Sequence, residues 1–126
     1  MVEFALITPL LLIIILVIVE FALVVFQYNT VANVARQGAR QGVVAFGTNA
    51  QIAAAAEAGA EDAAAALGLA EDRLQVDATV TGTDSKRVAV KVEYEVQLLT
   101  APVIQALGGG KSGSFTLTAT SSMIHE

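Results

Sequence analysis

Residues 4–26 read FALITPLLLIIILVIVEFALVVF, and Glu20 is the only ionisable side chain among them. A helix rises about 1.5 Å per residue, so the stretch spans roughly 34 Å, enough to cross a bilayer hydrocarbon core of about 30 Å. Ile and Val would suit a strand, but no soluble strand runs this far without turn residues, and length decides for a transmembrane helix. A cleaved secretory signal carries a basic n-region, a shorter apolar stretch and a small-residue cleavage site soon after. The run shows none of these, so the segment is expected to stay with the protein. Pro9 is harmless if the helix starts near Ile7, and frees the Ala5 carbonyl if it starts at Met1. Neither Gly nor Pro occurs between Leu10 and Gln37, so the helix is expected to continue into water. Past Phe26 it becomes amphipathic, with Gln27, Asn29, Asn33, Arg36, Gln37 and Arg40 interleaved with Val31, Ala32, Val34, Ala35 and Ala39.

The remaining chain is short. With 126 residues in all, the protein holds one small domain beside this helix and no second independent core. Hydrophobic residues make up 55% and charged residues 15%, against about 45–50% and about 25% in ordinary soluble domains, as a membrane helix requires. The formal charge of −5 and the lack of a basic patch argue against nucleic acid as a partner. Cysteine is absent and the single histidine is His125. Disulfides, thiolate metal sites and cysteine nucleophiles are thereby excluded. Ser, Asp and Glu form no recognised constellation with His125, so no catalytic residues and no cofactor are expected.

Thr48 and Gln51 form a capping-box pattern, and the Ala-rich run that follows ends at Gly68, which predicts a second helix over about 49–67. Ile52, Ala56, Gly59, Ala63 and Leu67 repeat at helical spacing, while Glu57 and Glu61 are expected to point to solvent. A metal site from Glu57, Glu61 and Asp62 is outweighed by a plain solvated face. From Leu74 the period becomes two. Leu74, Val76, Ala78 and Val80 alternate with polar residues, Gly82-Thr83-Asp84-Ser85 makes a turn, and Val88, Val90, Val92, Tyr94, Val96 and Leu98 continue the alternation, which predicts a hairpin. A short helical turn from Val103 to Leu107 and a Gly108-Gly109-Gly110 loop lead to a third strand carrying Phe115, Leu117, Ala119 and Met123. Its Ser and Thr residues are open to glycosylation or simply suit a strand face. The exposed half of the first helix is the expected cover for the sheet. Gly38 and Gly42, beside Ala35 and Ala39, allow close backbone approach; packing on the protein's own domain is favoured over a helix dimer, because Arg36 and Arg40 mark this stretch as outside lipid.

A long helix, half in the membrane and half packed on a small sheet that follows it, resembles the type IV pilins. Val2-Glu3-Phe4-Ala5-Leu6, then Pro9-Leu10-Leu11, Glu20, and Ala35-Arg36-Gln37-Gly38-Ala39-Arg40 resemble the TadE family of tight-adherence pilus proteins. The family commonly reads AREGAR at the last motif, so Gln37 stands where an acid is usual. Glu3 stands third, where such pilins carry their glutamate fifth after the cleavage point. The resemblance implies an α+β, type IV pilin-like fold with a long N-terminal helix, a second Ala-rich helix and a small three-stranded antiparallel sheet. Residues 1–26 would be the transmembrane and filament-core half of the helix, and 27–126 the extracytoplasmic domain. It further implies a precursor cut by a prepilin peptidase, residence in the cytoplasmic membrane, and extraction by an assembly platform and its ATPase into an extracellular filament of identical subunits. A minor pilin or a membrane-anchored accessory protein of a pilus or secretion system is the alternative. The candidate assembly residues are Met1, Glu3, Phe4, Pro9, Glu20, Arg36 and Arg40.

Two of these raise a charge problem independent of any family. Glu3, near the end of an apolar helix, must snorkel to water, become neutral or meet a cation, and pairing with the Met1 amine of an adjacent subunit would serve as a register device. Glu20 needs a partner or a proton. Arg36 and Arg40 lie roughly 24–30 Å further along the helix, too far within one subunit but within reach between staggered ones. Otherwise a protonated Glu20 would bond a backbone carbonyl or Thr8 of a neighbour.

Overall fold

The computed structural model describes residues 2–106, 108 and 113–125. Helix α1 runs from Val2 to Val44 without interruption. It therefore begins before Ile7, leaving Pro9 in its interior, where the ring removes the N–H that the Ala5 carbonyl would accept. One residue earlier, the Thr8 hydroxyl donates to the Phe4 carbonyl at 2.8 Å, a local bond of the kind that bends helices slightly.

Helix α2 covers Asn49–Ala66, and its capping box is formed as the sequence predicts: the Thr48 hydroxyl accepts from the Gln51 N–H, and the Gln51 side chain accepts from the Thr48 N–H. Its C-terminus is equally specified. Gly68 sits at φ +75°, the Gly68 N–H donates to Ala65 and the Leu69 N–H to Ala64, and Leu69 is buried. That is a Schellman closure, and it requires the left-handed conformation glycine adopts freely.

A single 3-10 turn, Glu71–Arg73, which the sequence pattern does not announce, leads into β1 (Leu74–Thr81). Strand β2 (Lys86–Gln97) and strand β3 (Ser114–His125) complete an antiparallel sheet in the order β1-β2-β3. The register is continuous, Val76 opposite Val92 and Val92 opposite Ala119, so the period-two apolar residues of all three strands share one face. Between β2 and β3 lies α3, Ala101–Ala106. It starts two residues before the predicted Val103, with Pro102 in its first turn, where a proline is tolerated; Leu107, Gly109 and Gly110 lie outside the described residues.

Two helices, rather than α1 alone, cover the apolar face. Helix α1 packs on β2 and β3, α2 on β1 and β2, and the helices on each other. The core joins Val31, Val34, Ala35 and Ala39 of α1 and Ile52, Ala56 and Ala60 of α2 to Val88, Val90 and Val92 of β2. Small residues set the helix spacing. A methyl group built on Gly38 would stand 2.8 Å from both the Ala56 carbonyl oxygen and the Ala60 Cβ, and one on Gly42 would stand 2.7 Å from Val88 Cγ1. The small-residue surface thus serves contact within the domain, as the favoured sequence reading holds.

One expectation is corrected. Glu57 does not point to solvent: it is half-buried, and its Oε1 accepts from the Ala78 N–H at 3.2 Å. Strand β1 is an edge of the sheet, so an N–H there lacks a ladder partner, and α2 supplies one. Glu61 and Asp62 are exposed as expected, and no group of three His, Cys, Asp or Glu residues among those described is placed to hold a metal. Replacing Glu57 by alanine should lower stability by about 1–3 kcal/mol by stranding that N–H, whereas glutamine, which keeps an acceptor, should cost less. Thermal unfolding of the two variants in detergent checks this.

Candidate assembly surface

Helix α1 is divided along its length by what touches it. From Phe4 to Ile15 every residue is exposed, and the apolar window there has no cover from the other described residues. From Leu16 onward a stripe turns inward. Leu16, Glu20, Val24 and Gln27 are half-buried, and Val31, Val34, Ala35, Gly38, Ala39 and Gly42 are buried. These positions recur every three or four residues, the spacing of one helix face. The opposite face stays open to the top of the helix, with Phe26 at 67% and Val44 at 67% exposure.

Along this helix the candidate residues fall into three groups. Met1 and the side chain of Glu3 lie outside what the structure describes. Phe4, 77% exposed, and Pro9 lie on the uncovered section. Arg36 and Arg40 are exposed on the upper half. Arg36 borders a shallow groove between α1 and β3, with Tyr28, Ala32 and Thr118 to Ser121. Arg40 lines a second groove with Asn33, Gln37, Gln41 and Val44. Both guanidinium groups are thus carried on the surface of the domain.

Glu20 is satisfied within its own chain. Its Oε1 accepts from the Thr100 N–H at 3.1 Å, and its Oε2 accepts from the Thr100 hydroxyl. Thr100 is itself buried. Both carboxylate oxygens are therefore engaged by one residue 80 positions further on, which ties the β2–β3 connection to the apolar part of α1. Thr100 escaped the sequence reading, although Thr100-Ala101-Pro102 carries a signal: a hydroxyl residue shortly before a proline is a common helix start. What no sequence pattern contains is that this start would land beside Glu20.

The outer face of the sheet is polar. Lys91 meets Glu93 at 2.7 Å, and the hydrogen bond and charge of Glu93, with a smaller contribution from Asp77, raise the lysine above its ordinary pKa. Both charges sit on an open surface, where such a pair adds little to stability.

A long apolar helix, a second helix and a three-stranded antiparallel sheet define an α+β, pilin-like fold. Residues 1–40 match the family model described as TadE-like protein. The match covers the uncovered section of α1, Glu20, and the Arg36 and Arg40 motif, and it links this part of the chain to a pilus-related family. No curated protein and no solved structure matches the chain.

Proposed function

We propose that the protein is a structural subunit of a tight-adherence-type pilus, assembling through α1 into a helical filament that serves surface adhesion. The observation that carries this reading is the exposed section from Phe4 to Ile15. A helix that is apolar all round is stable only when something apolar surrounds it. Lipid of the cytoplasmic membrane would do so before assembly, and the α1 helices of identical subunits afterwards. Residues 1–26 then form the membrane and filament-core half, and 27–126 the extracytoplasmic domain facing outward. A prepilin peptidase and an assembly platform with its ATPase would supply processing and extraction.

Within the bundle, Phe4 and Pro9 pack against neighbouring helices, and the Met1 amine of one subunit meets Glu3 of the next. Glu20, whose oxygens Thr100 engages, acts by holding the domain at a fixed height on the helix. Arg36 and Arg40 are left available for acceptors on adjacent subunits. Electron microscopy of sheared material, with mass spectrometry of the purified filaments, tests the whole reading: this chain should be their most abundant component. Glu3→Gln, which keeps size and removes charge, should abolish or greatly reduce filaments while leaving the protein in the membrane. Filaments in normal number from that variant would remove the charge-pair register, and filaments lacking this chain would remove the subunit role.

A further inference from the structure

The β2–β3 connection sits at a height on α1 that conflicts with a domain held clear of the bilayer. In the sequence Glu3 is the last ionisable residue before the apolar run, so the apolar layer is counted from Phe4. A core of about 30 Å needs about 20 helical residues, which places the far border near Leu23, and any tilt moves it further on. Had the layer ended below Glu20, the span would be only about 24 Å. Glu20 therefore lies inside that border, and the inward-facing stripe reaches Leu16, deeper still. Thr100, bonded to Glu20 through its N–H and its hydroxyl, is carried to the same depth.

The composition of the connection suits that place. No charged residue occurs between Glu95 and Lys111. Leu99 is 59% and Val103 44% exposed, and Pro102 is exposed beside them. On α1 at this level, Phe21 is 70% exposed, so the apolar surface of the span continues onto the connection. The Thr100 N–H and hydroxyl each donate to one oxygen of Glu20, so these polar groups would enter the lipid boundary already bonded to one another.

We propose that the segment from Leu98 to Ala106 is a second membrane contact, a lip that lies in the lipid headgroup and upper acyl region with Leu99 and Val103 inserted, clasped to α1 by Glu20 and Thr100. Interfacial segments lie about 5–10 Å into this boundary, and Glu20 lies about 4.5 Å inside a border at Leu23 and about 9 Å inside one that tilt moves to Phe26, the last residue of the apolar run. The proposal rests on the reading of α1 as a membrane anchor. It adds that the domain is seated in the lipid surface before assembly, with its orientation about α1 set by two contacts rather than one.

The chain contains no cysteine, so single cysteines can be introduced and labelled with an environment-sensitive thiol dye in the full-length protein. Four variants suffice: Ile15→Cys in the span, Leu99→Cys and Val103→Cys in the lip, and Thr79→Cys on the outer face of the sheet. Each is reconstituted in phosphatidylcholine vesicles with and without nitroxide-labelled lipid. Labels at 15, 99 and 103 should lose most of their emission to the nitroxide, and the label at 79 should lose almost none. Quenching at 15 with no quenching at 99 and 103 overturns the lip and leaves the anchor standing. No quenching at 15 overturns the anchor and the lip with it. Emission at 99 and 103 that is insensitive to nitroxide but changes with protein-to-lipid ratio would mean that a second copy covers these residues, which also overturns the proposal. Two lip positions guard against one substitution failing to fold.

Discussion

Replacing Gly38 and Gly42 together by valine should collapse the helix–sheet domain while leaving the apolar section of α1 able to enter detergent or lipid. At Gly38 even the first added carbon would lie 2.8 Å from the carbonyl oxygen of Ala56, a backbone atom that cannot rotate away, and 2.8 Å from the Cβ of Ala60. At Gly42 it would lie 2.7 Å from Val88 Cγ1 and 2.8 Å from the Cβ of Ala56. Valine adds two further carbons at each site, so α1 and α2 must separate. Overpacking costs about 1–3 kcal/mol per site, and the shared neighbour Ala56 couples the two sites, so their costs need not add. Simple addition would give a loss of about 2–6 kcal/mol, which reaches the lower end of the whole stability of a small domain, about 5–15 kcal/mol. Gly38→Ala alone should be milder, because alanine recovers up to about 1 kcal/mol of helix propensity. Circular dichroism melts and limited proteolysis in detergent read the outcome. A double valine variant with the protease resistance of the parent protein would show that the close approach of α1 and α2 does not hold the domain together.

That pair of glycines also marks how far the sequence goes. The spacing of Gly38, Gly42, Ala35 and Ala39 revealed a small-residue surface, and the arginines beside it indicated that the surface lies outside lipid. Which element would occupy it was set by α2, whose Ala56 and Ala60 are recognisable as a helix face but not as the partner of a particular face. Local chemistry was legible except at the Glu71–Arg73 turn and the start of α3 at Ala101. The Thr48 and Gln51 box, the Gly68 closure and the period-two runs of β1, β2 and β3 each depend on residues a few positions apart, and each forms where expected. The contacts that were not legible are the polar ones made across the chain. Glu57 reads as a solvated helix acid until β1 brings the Ala78 N–H beside it. Glu20 reads as a charge in need of another subunit until the β2–β3 connection brings Thr100 to it. A single carboxylate carries no record of its acceptor role, because the donor is chosen by topology and not by spacing.

The same division of α1 leads to the other large expected effect: under the proposed function, removal of residues 1–26 should abolish assembly and leave a folded, soluble monomer. The deletion spares Val31, Val34, Ala35 and Ala39, all of α2 and the whole sheet, so the buried core remains intact. It removes Glu3 and Glu20, taking the formal charge from −5 to −3, still within the range that favours solubility, about 2–8 in magnitude. The cost falls at Thr100, whose N–H and hydroxyl lose the carboxylate and turn to water. Hydrogen bonds to a charged group contribute about 1.5–3 kcal/mol each at most, so the melting temperature should drop without loss of the fold. Leu99 and Val103 would remain exposed, but two side chains form a patch below the several hundred Å² that drives association. Light scattering after gel filtration should report the mass of one chain for the truncated protein and large assemblies for the full-length protein out of detergent. If the truncated domain polymerised, the organising surface would have to be the sheet, with its polar outer face of Lys91, Glu93 and the threonines of β3, and the exposed apolar section of α1 would be an anchor only.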